Sequence, residues 1–170
     1  IDQMGAFKFE QRDRNDSRAR IWHPLLLNDG LVFHLYDSPL RKIDSCSKLL
    51  FQNVEDGFRH SIEITSEGDI WVPTSIYPQS VETSKVGNLP IYDNGYRDDG
   101  ITKLTPDGEI VYQRSITDIL IENGLEYLLF AHGDQKFTID PIHVNDIQPV
   151  EFDSDYWQRG DLFISFRHLS

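Results

Sequence analysis

Short apolar stretches separated by turn residues dominate the chain and predict β-strands joined into hairpins. Residues 25–27 and 31–36 flank Asn28, Asp29 and Gly30, and an Asp-Gly pair between two apolar stretches is a strong hairpin signal. The same arrangement recurs at residues 40–43 with 49–51, 61–65 with 69–72, 101–104 with 109–112, and 144–152 with 162–166. The hydrophobic pattern therefore predicts an all-β fold.

One segment, residues 115–130, has the apolar spacing of a helix. Its apolar face is formed by Ile116, Ile119, Leu120 and Leu128. Either Ser115 or Thr117 can cap its first turn, and Gly124 predicts a division into two short helices. The stretch 73–100, which is rich in Gly, Pro, Asn and Asp, is predicted to be a long loop.

The hairpins repeat in a way that predicts consecutive four-stranded units. Residues 42–52 and 103–113 share a Lys-aliphatic start, a four-residue turn, an apolar triplet and a final Gln. Meanders repeated every ~40–60 residues are typical of a β-propeller, so we predict one propeller domain that includes residues 1–170. Its blades are placed at residues 22–52, 60–114 and 142–170, of which the third is incomplete. A small β-sandwich whose sheet edges are capped by the helix is the alternative.

The composition excludes several classes of protein. With 16 Lys and Arg against 28 Asp and Glu, the net charge is −12, and the clustered cations of a nucleic-acid-binding surface are missing. No apolar stretch approaches the ~20 residues of a membrane span. The single cysteine, Cys46, excludes an intrachain disulfide. The chain starts at Ile1 without a signal peptide, which predicts a processed chain or a fragment.

Three histidines stand at the start of a predicted first strand, namely His23, His60 and His143. Because first strands line the central channel of a propeller, these positions would form a ring of imidazoles. Imidazole can act as an acid, a base, a nucleophile or a metal ligand. The competing interpretation is a repeat position where histidine serves only hydrogen bonding between blades. The other histidines, His34, His132 and His168, are interpreted as structural or loop residues.

The third predicted blade adds an amide and a guanidinium near His143. Asn145 lies two residues further along the strand, on the same face, and Arg167 lies on the returning strand. Imidazole, amide and guanidinium groups all donate hydrogen bonds to the oxygens of sulfate, phosphate or carboxylate. Arg167 argues against a zinc site at the histidines, because a metal cation repels a guanidinium. The acidic residues 93–100 could bind calcium through their oxygen atoms, although they do not have EF-hand spacing. The alternative is that they form a solvated turn.

Two motifs of the chain are similar to those of a known family. They are His-x-Asn-Asp at residues 143–146 and Gly-Asp-x-x-x-Ser-x-Arg at residues 160–167. Together with residues 59–73 and 99–110, they resemble the arylsulfotransferases, which take a sulfuryl group from aryl sulfate esters instead of from a nucleotide donor. The resemblance covers residues 56–170.

The resemblance implies a six-bladed propeller with its active site in the central channel and a ping-pong reaction through a sulfated histidine. By motif match, His143, Asn145 and Arg167 would bind the sulfuryl group, and His60 would be the channel histidine of an earlier blade. These four residues are the candidate catalytic residues, with an aryl sulfate and a phenol as substrates and with no cofactor or metal. In the family the accepting histidine lies in a later blade. The resemblance therefore places it outside residues 1–170 and requires further blades from the same protein or from another chain. It also implies a periplasmic or other extracytoplasmic location.

Three functions remain in competition at this point. The first is a sulfotransferase of the kind that the resemblance implies. The second is a non-catalytic propeller that binds a partner through its channel or through residues 73–100, since a fold does not by itself dictate a function. The third is a metal-dependent lyase or hydrolase that uses the histidine ring.

Overall fold

Antiparallel β-strands make up most of the structure, a computed structural model that describes residues 21–81, 96–130 and 140–168. The strands are β1 (Ile21–Leu27), β2 (Gly30–Leu35), β3 (Ser38–Ile43), β4 (Leu49–Phe58), β5 (Glu63–Ile64), β6 (Ile70–Ile76), β7 (Asp98–Leu104), β8 (Ile110–Ser115), β9 (Val144–Pro149) and β10 (Leu162–Phe166). Between β8 and β9 lie helix α1 (Ile116–Glu122) and a 3₁₀ helix (Glu126–Phe130). The prediction of an all-β fold with a short helical insertion is confirmed.

The strands form two meanders and a separate hairpin. Strands β1 to β4 pair consecutively as the first meander, and strands β5 to β8 pair consecutively as the second. Strands β9 and β10 form the hairpin. Phe58 of β4 pairs with Thr74 of β6, which joins the two meanders into one sheet. The assignment of these units to propeller blades stays a prediction.

Several strands differ in length from the sequence prediction. Strand β4 runs on to Phe58 because its last residues pair with β6, a partner that the local pattern does not reveal. Strand β5 has two residues, Glu63 and Ile64, where the alternation predicted five. Strand β9 ends at Pro149, which has no amide hydrogen with which to extend the ladder.

The helical insertion has the predicted start and the predicted division. The Oγ atom of Ser115 accepts a hydrogen bond from the amide of Asp118 at 3.1 Å and so caps helix α1. Gly124 follows the helix with a φ of +69°, in the left-handed region that favours glycine. The chain then continues as the 3₁₀ helix, as expected from a glycine in the middle of the segment.

The second meander is packed on both of its faces, because alternate residues of each strand point to opposite sides. Ile70 and Val72 of β6 belong to a core shared with the first meander. Trp71, between them, packs against a second core that the second meander shares with the helices and the hairpin. This second core contains Val81, Tyr96, Ile101, Ile116, Leu120, Leu129, Ile142, Val144 and Ile147. The three units therefore stack face to face, and the segments that connect them meet at the candidate site.

Replacing Gly108 with alanine should destabilise the stacked meanders. Gly108 has a φ of +85° in the turn between β7 and β8, and an added Cβ would lie 2.4 Å from the Phe51 ring of the first meander. The control is Gly124→Ala, with a φ of +69° and nothing described within 4 Å. We expect the control to lose about 1–2 kcal/mol from its backbone alone, and Gly108→Ala to lose about 1–3 kcal/mol more from overpacking. Equal losses in urea denaturation would contradict this contact.

Candidate active site

Three histidines share an uncommon backbone conformation. The φ angles of His23, His60 and His143 are 40°, 57° and 55°, in the left-handed region that costs a residue with a Cβ roughly 1–2 kcal/mol. His60 lies between β4 and β5, His143 immediately precedes β9, and His23 lies at a register shift in β1. The same strained conformation at the start of three units supports their equivalence as a repeated position, and such strain is frequent at functional sites.

A buried ion pair connects the segments that carry His60 and His143. Arg59 pairs with Asp99 of β7, and the exposed fraction of both side chains is 0%. The second carboxylate oxygen of Asp99 accepts a hydrogen bond from the amide of Val144 at 2.9 Å. Because Arg59 precedes His60 and Val144 follows His143, one carboxylate fixes the backbone beside both histidines.

Two further hydrogen bonds support the same region. The Nε2 atom of His34 lies 3.0 Å from the carbonyl oxygen of His60. This buried imidazole of β2 therefore stabilises the left-handed backbone conformation of His60. The Oγ atom of Ser61 accepts a hydrogen bond from the amide of Ile147 at 3.3 Å, which ties the second meander to the hairpin. The interpretation of His34 as a structural residue agrees with this contact.

The imidazole of His60 lies within a cluster of rings. Its centroid is 5.0 Å from that of His143, 5.7 Å from that of Trp22 and 6.2 Å from that of Tyr36, each in an edge-to-face arrangement. Burial, followed by the positive charges of His143, Arg59 and other neighbours, lowers the pKa of His60 to about 3. Its Nε2 atom is buried and has no hydrogen-bond partner within the described ranges. His60 is therefore a neutral imidazole with one nitrogen that no described residue contacts by a hydrogen bond.

The low pKa of His60 predicts a loss of stability in mild acid. The folded state has a pKa of about 3, whereas the unfolded chain has one near 6.5, so below pH 6.5 the unfolded state binds an additional proton. The free energy of unfolding should fall by about 1.4 kcal/mol for each pH unit below about pH 6 from this group, and the effect should halve near pH 6.5 and fade at higher pH. Urea denaturation between pH 4.5 and pH 7.5 measures this slope.

The matched variants for this measurement are His60→Gln and His23→Gln. His60→Gln should have a pH slope smaller by about one proton, and His23→Gln, which removes an exposed imidazole, should keep the wild-type slope. A wild-type slope in His60→Gln would show that His60 does not stay neutral in the folded protein.

His143 is held by a carboxylate and by a second imidazole. Its Nδ1 atom lies 2.6 Å from Oδ2 of Asp140, and Arg97 Nη1 lies 3.1 Å from the same oxygen. The ring of His168 packs edge-on against His143, with 5.5 Å between the centroids. The Nε2 atom of His143 is buried and has no hydrogen-bond partner in the described part of the chain. Both His60 and His143 thus have a buried ring nitrogen to which the described residues offer no hydrogen bond.

A cavity of about 600 Å³ lies beside these rings, and its lining includes His60, Asn145 and Arg167. The guanidinium Nη2 of Arg167 lies 3.5 Å from Oδ1 of Asn145, and the amide of Arg167 donates a hydrogen bond to the carbonyl oxygen of His143 at 2.9 Å. Arg167 is exposed, so its guanidinium is accessible to a ligand. These donors can bind an anion in the cavity.

A β-bulge, rather than regular alternation, brings Asn145 to this cavity. Phe166 pairs with Val144 and Ser165 pairs with Asp146, so the register skips Asn145. The expectation that His143 and Asn145 share a face as positions i and i+2 of one strand does not hold, because His143 precedes β9 in the left-handed conformation. Their common neighbour is Arg167, which contacts the backbone of His143 and the side chain of Asn145.

Acidic groups line another part of the same cavity. Gln148 Nε2 donates to Oε1 of Glu63 at 3.1 Å and to Oδ2 of Asp146 at 3.0 Å. Burial, and next the charge of Asp146, raise the pKa of Glu63. The cavity thus combines donors for an anion with carboxylates that can accept a proton from a hydroxyl group.

Two metal sites were alternatives from the sequence, and the structure bears on both. The zinc alternative concerned the ring of His23, His60 and His143, but among the described residues the group that could hold a metal ion is Asp140, His143 and His168, whose potential ligand atoms lie within 4.8 Å of one another. The ion pair from Arg97 to Asp140 puts a fixed positive charge beside this group, which opposes a second cation. Of the acidic residues 93–100, residues 93–95 lie outside the described ranges.

The carboxylates of that stretch which the structure describes have protein partners instead. Asp98 accepts hydrogen bonds from the Oγ atoms of Ser80 and Ser115 at 2.7 and 2.6 Å. Asp99 pairs with Arg59. Both carboxylates are buried in β7, which disfavours their use as calcium ligands.

The structure brings His60, His143, Asn145 and Arg167 close together. The histidines around His143 differ from the ring that the sequence predicted. His23 lines the cavity and is exposed, and a further imidazole that packs against His143 is that of His168. The amide of His168 lies 3.4 Å from the carbonyl oxygen of Ile142. Extending the predicted 144–152 with 162–166 hairpin by two residues would have placed His168 there. His132 lies outside the described residues.

Comparison with known protein families decides the relationship. The family model described as Arylsulfotransferase (ASST) matches residues 23–170. The chain belongs to the arylsulfotransferase family. Comparison with curated proteins finds no match. In the described ranges of this arylsulfotransferase-family chain, neither helical element has the length and apolar character needed to cross a bilayer.

Proposed function

We propose that the protein transfers a sulfuryl group from an aryl sulfate ester to a phenol through a histidine intermediate. The observation that carries this proposal is the convergence of His60, His143, Asn145 and Arg167, from the second meander and the hairpin, in a member of the arylsulfotransferase family. The reaction needs neither a cofactor nor a metal. Family resemblance favours a periplasmic or other extracytoplasmic location.

The chemistry of the donors suits a sulfuryl group in transfer. The group carries negative charge on three oxygens, and donors fixed on rigid strands stabilise that charge without reorganising. Arg167 supplies a permanent positive charge, and Asn145 supplies an amide. His60, which stays neutral above about pH 4, and His143 each have a buried Nε2 without a protein partner among the described residues.

The accepting histidine is proposed to lie outside residues 1–170, in a further propeller blade of the same protein or of another chain. The support is the order of motifs in the family, where that histidine follows the His-x-Asn-Asp motif by at least one blade. Among the described histidines, His168 follows the motif too closely to take that place. Residues 1–170 then supply binding and charge stabilisation to a site that other residues complete.

One observation favours a second function, a metal-dependent lyase or hydrolase. Asp140, His143 and His168 lie close enough together to share a metal ion. A transition metal at one equivalent after purification and dialysis would favour this function over sulfuryl transfer. The third possibility, a non-catalytic binding propeller, predicts neither metal nor covalent sulfation.

The decisive test incubates the native protein with a chromogenic aryl sulfate, with and without a phenol acceptor. Sulfuryl transfer predicts release of the chromophore that depends on the acceptor, together with a sulfated histidine detected by mass spectrometry. Titration of the 170-residue chain with the aryl sulfate, followed by calorimetry, tests the binding half separately. Absence of both turnover and binding would leave the non-catalytic interpretation.

A further inference from the structure

Asp140 connects His143 to a set of hydrogen bonds outside the cavity lining. Its Oδ2 atom lies 2.6 Å from His143 Nδ1 and 3.1 Å from Arg97 Nη1. The same Nη1 atom donates to the hydroxyl oxygen of Tyr36 at 2.9 Å. The side chains of Asp140 and His143 are 17% and 10% exposed, so water competes little for this bond. Asp140 therefore bridges a fixed cation of the second meander to the histidine of the hairpin.

The carboxylate of Asp140 is ionised in this environment. Burial by itself acts to raise its pKa, but the hydrogen bond from His143 and the charges of His143, Arg97 and Arg59 outweigh burial and lower the pKa. An ionised carboxylate can only accept hydrogen bonds. The short contact with His143 Nδ1 therefore requires the proton to lie on Nδ1.

We propose that Asp140, held by Arg97, is a positioning residue that keeps a proton on Nδ1 of His143 and reserves Nε2 for the reacting group. The Nε2 atom is buried without a hydrogen-bond partner in the described ranges, beside the rings of His60 and His168. A buried polar atom without a hydrogen-bond partner costs free energy, and a bound ligand can remove this cost by supplying the partner. With Nδ1 committed to Asp140, Nε2 is the ring nitrogen of His143 left for a bound group. Nε2 can then donate to a sulfuryl or phenol oxygen when protonated and accept from a phenol when neutral.

The role of this arrangement in sulfuryl transfer rests on the proposed function, whereas the position of the proton does not. The experiment uses the full chain with ¹⁵N-labelled histidine. It records the NMR chemical shifts of the ring nitrogens of His143 while the pH is raised until this imidazole is neutral. The His143 signal is assigned by its loss in His143→Gln. In the wild type we expect neutral His143 to carry its proton on Nδ1. Asp140→Asn should move the proton toward Nε2, because a carboxamide can donate to Nδ1.

The matched control is Asp29→Asn. Asp29 also pairs with a cation, Lys42 at 2.7 Å, but in an exposed turn, and its replacement should leave the His143 proton on Nδ1. A wild-type His143 with its neutral-form proton on Nε2 would overturn the proposal, as would an unchanged proton position in Asp140→Asn. If Asp140→Asn does not fold, the wild-type spectrum still decides where the proton lies.

A kinetic measurement tests the role in the reaction. In a native protein with sulfotransfer activity, Asp140→Asn should lower kcat by about 100-fold or more with a smaller change in KM. An unchanged kcat would overturn the positioning role even if the proton lies on Nδ1. If the wild type shows no sulfotransfer at all, the proposed function fails, while the spectra still report on Asp140 and His143.

Discussion

Replacing Arg167 with methionine should lower kcat/KM for sulfuryl transfer by about 100- to 1000-fold, the effect of removing one donor from a site that stabilises developing negative charge. Arg167 lines the cavity, and its guanidinium lies 3.5 Å from the Asn145 side chain. Because Arg167 is exposed, its loss should leave the free energy of unfolding within about 0.5 kcal/mol of the wild-type value. Turnover of a chromogenic aryl sulfate and urea denaturation measure the two quantities.

The control for this variant is Arg159→Met. Arg159 is another exposed arginine near the hairpin, and it pairs with Glu67 away from the histidines. Its replacement should leave turnover unchanged. Arg167→Lys, which keeps the charge but removes the planar fork, should recover only part of the lost rate. Equal turnover in Arg167→Met and in the wild type would remove Arg167 from the proposed site.

Asp99→Asn should destabilise the protein by about 3–5 kcal/mol, the usual cost of leaving one charge of a buried pair uncompensated. Arg59 and Asp99 are both fully buried, so water cannot replace the lost carboxylate charge. The change also weakens the acceptor of the Val144 amide. Since the same carboxylate fixes the segments of His60 and His143, folded Asp99→Asn should also bind aryl sulfate more weakly. Urea denaturation and calorimetry measure the two effects.

Asp69→Asn is the control for this prediction. Asp69 pairs with Lys103 at 2.7 Å, but the two side chains are 26% and 31% exposed, and such pairs contribute about 0–1 kcal/mol. A second check is the double variant of Asp99→Asn with Arg59→Met, which removes the unpaired charge and should recover part of the lost stability. If Asp99→Asn loses no more free energy of unfolding than Asp69→Asn, the buried pair does not hold the segments of His60 and His143 together.

Much of the candidate site could be predicted from the sequence because its residues follow the repeat. His60 and His143 stand at corresponding places before a strand, so one aligned pattern identifies both. Asn145 lies in β9 and Arg167 directly follows β10, and the apolar patterns of these two stretches predict that they pair as one hairpin. These four residues became candidates through local spacing and local strand pairing.

The residues that the sequence did not reveal form two ion pairs between distant parts of the chain, Arg97 with Asp140 and Arg59 with Asp99. Asp140 holds His143 from outside any predicted strand, and its other partner, Arg97, lies in what the composition predicts to be a long loop. Arg59 and Asp99 are charged residues that a local pattern assigns to the surface, yet both are fully buried. Their burial depends on the stacking of the second meander against its neighbours, which no local pattern contains.

The sequence by itself determined the all-β class, the hairpins, the capped and divided helix, and the histidines of the repeated position, because these depend on residues within a few positions of each other. Only the tertiary structure decided how the units join and which groups surround those histidines. The extension of β4 onto β6, the bulge at Asn145 and the contact of His168 with His143 all arise from strand pairing and packing. The protonation of His60 depends on burial among rings from the first meander and the hairpin, and burial is a property of the folded chain.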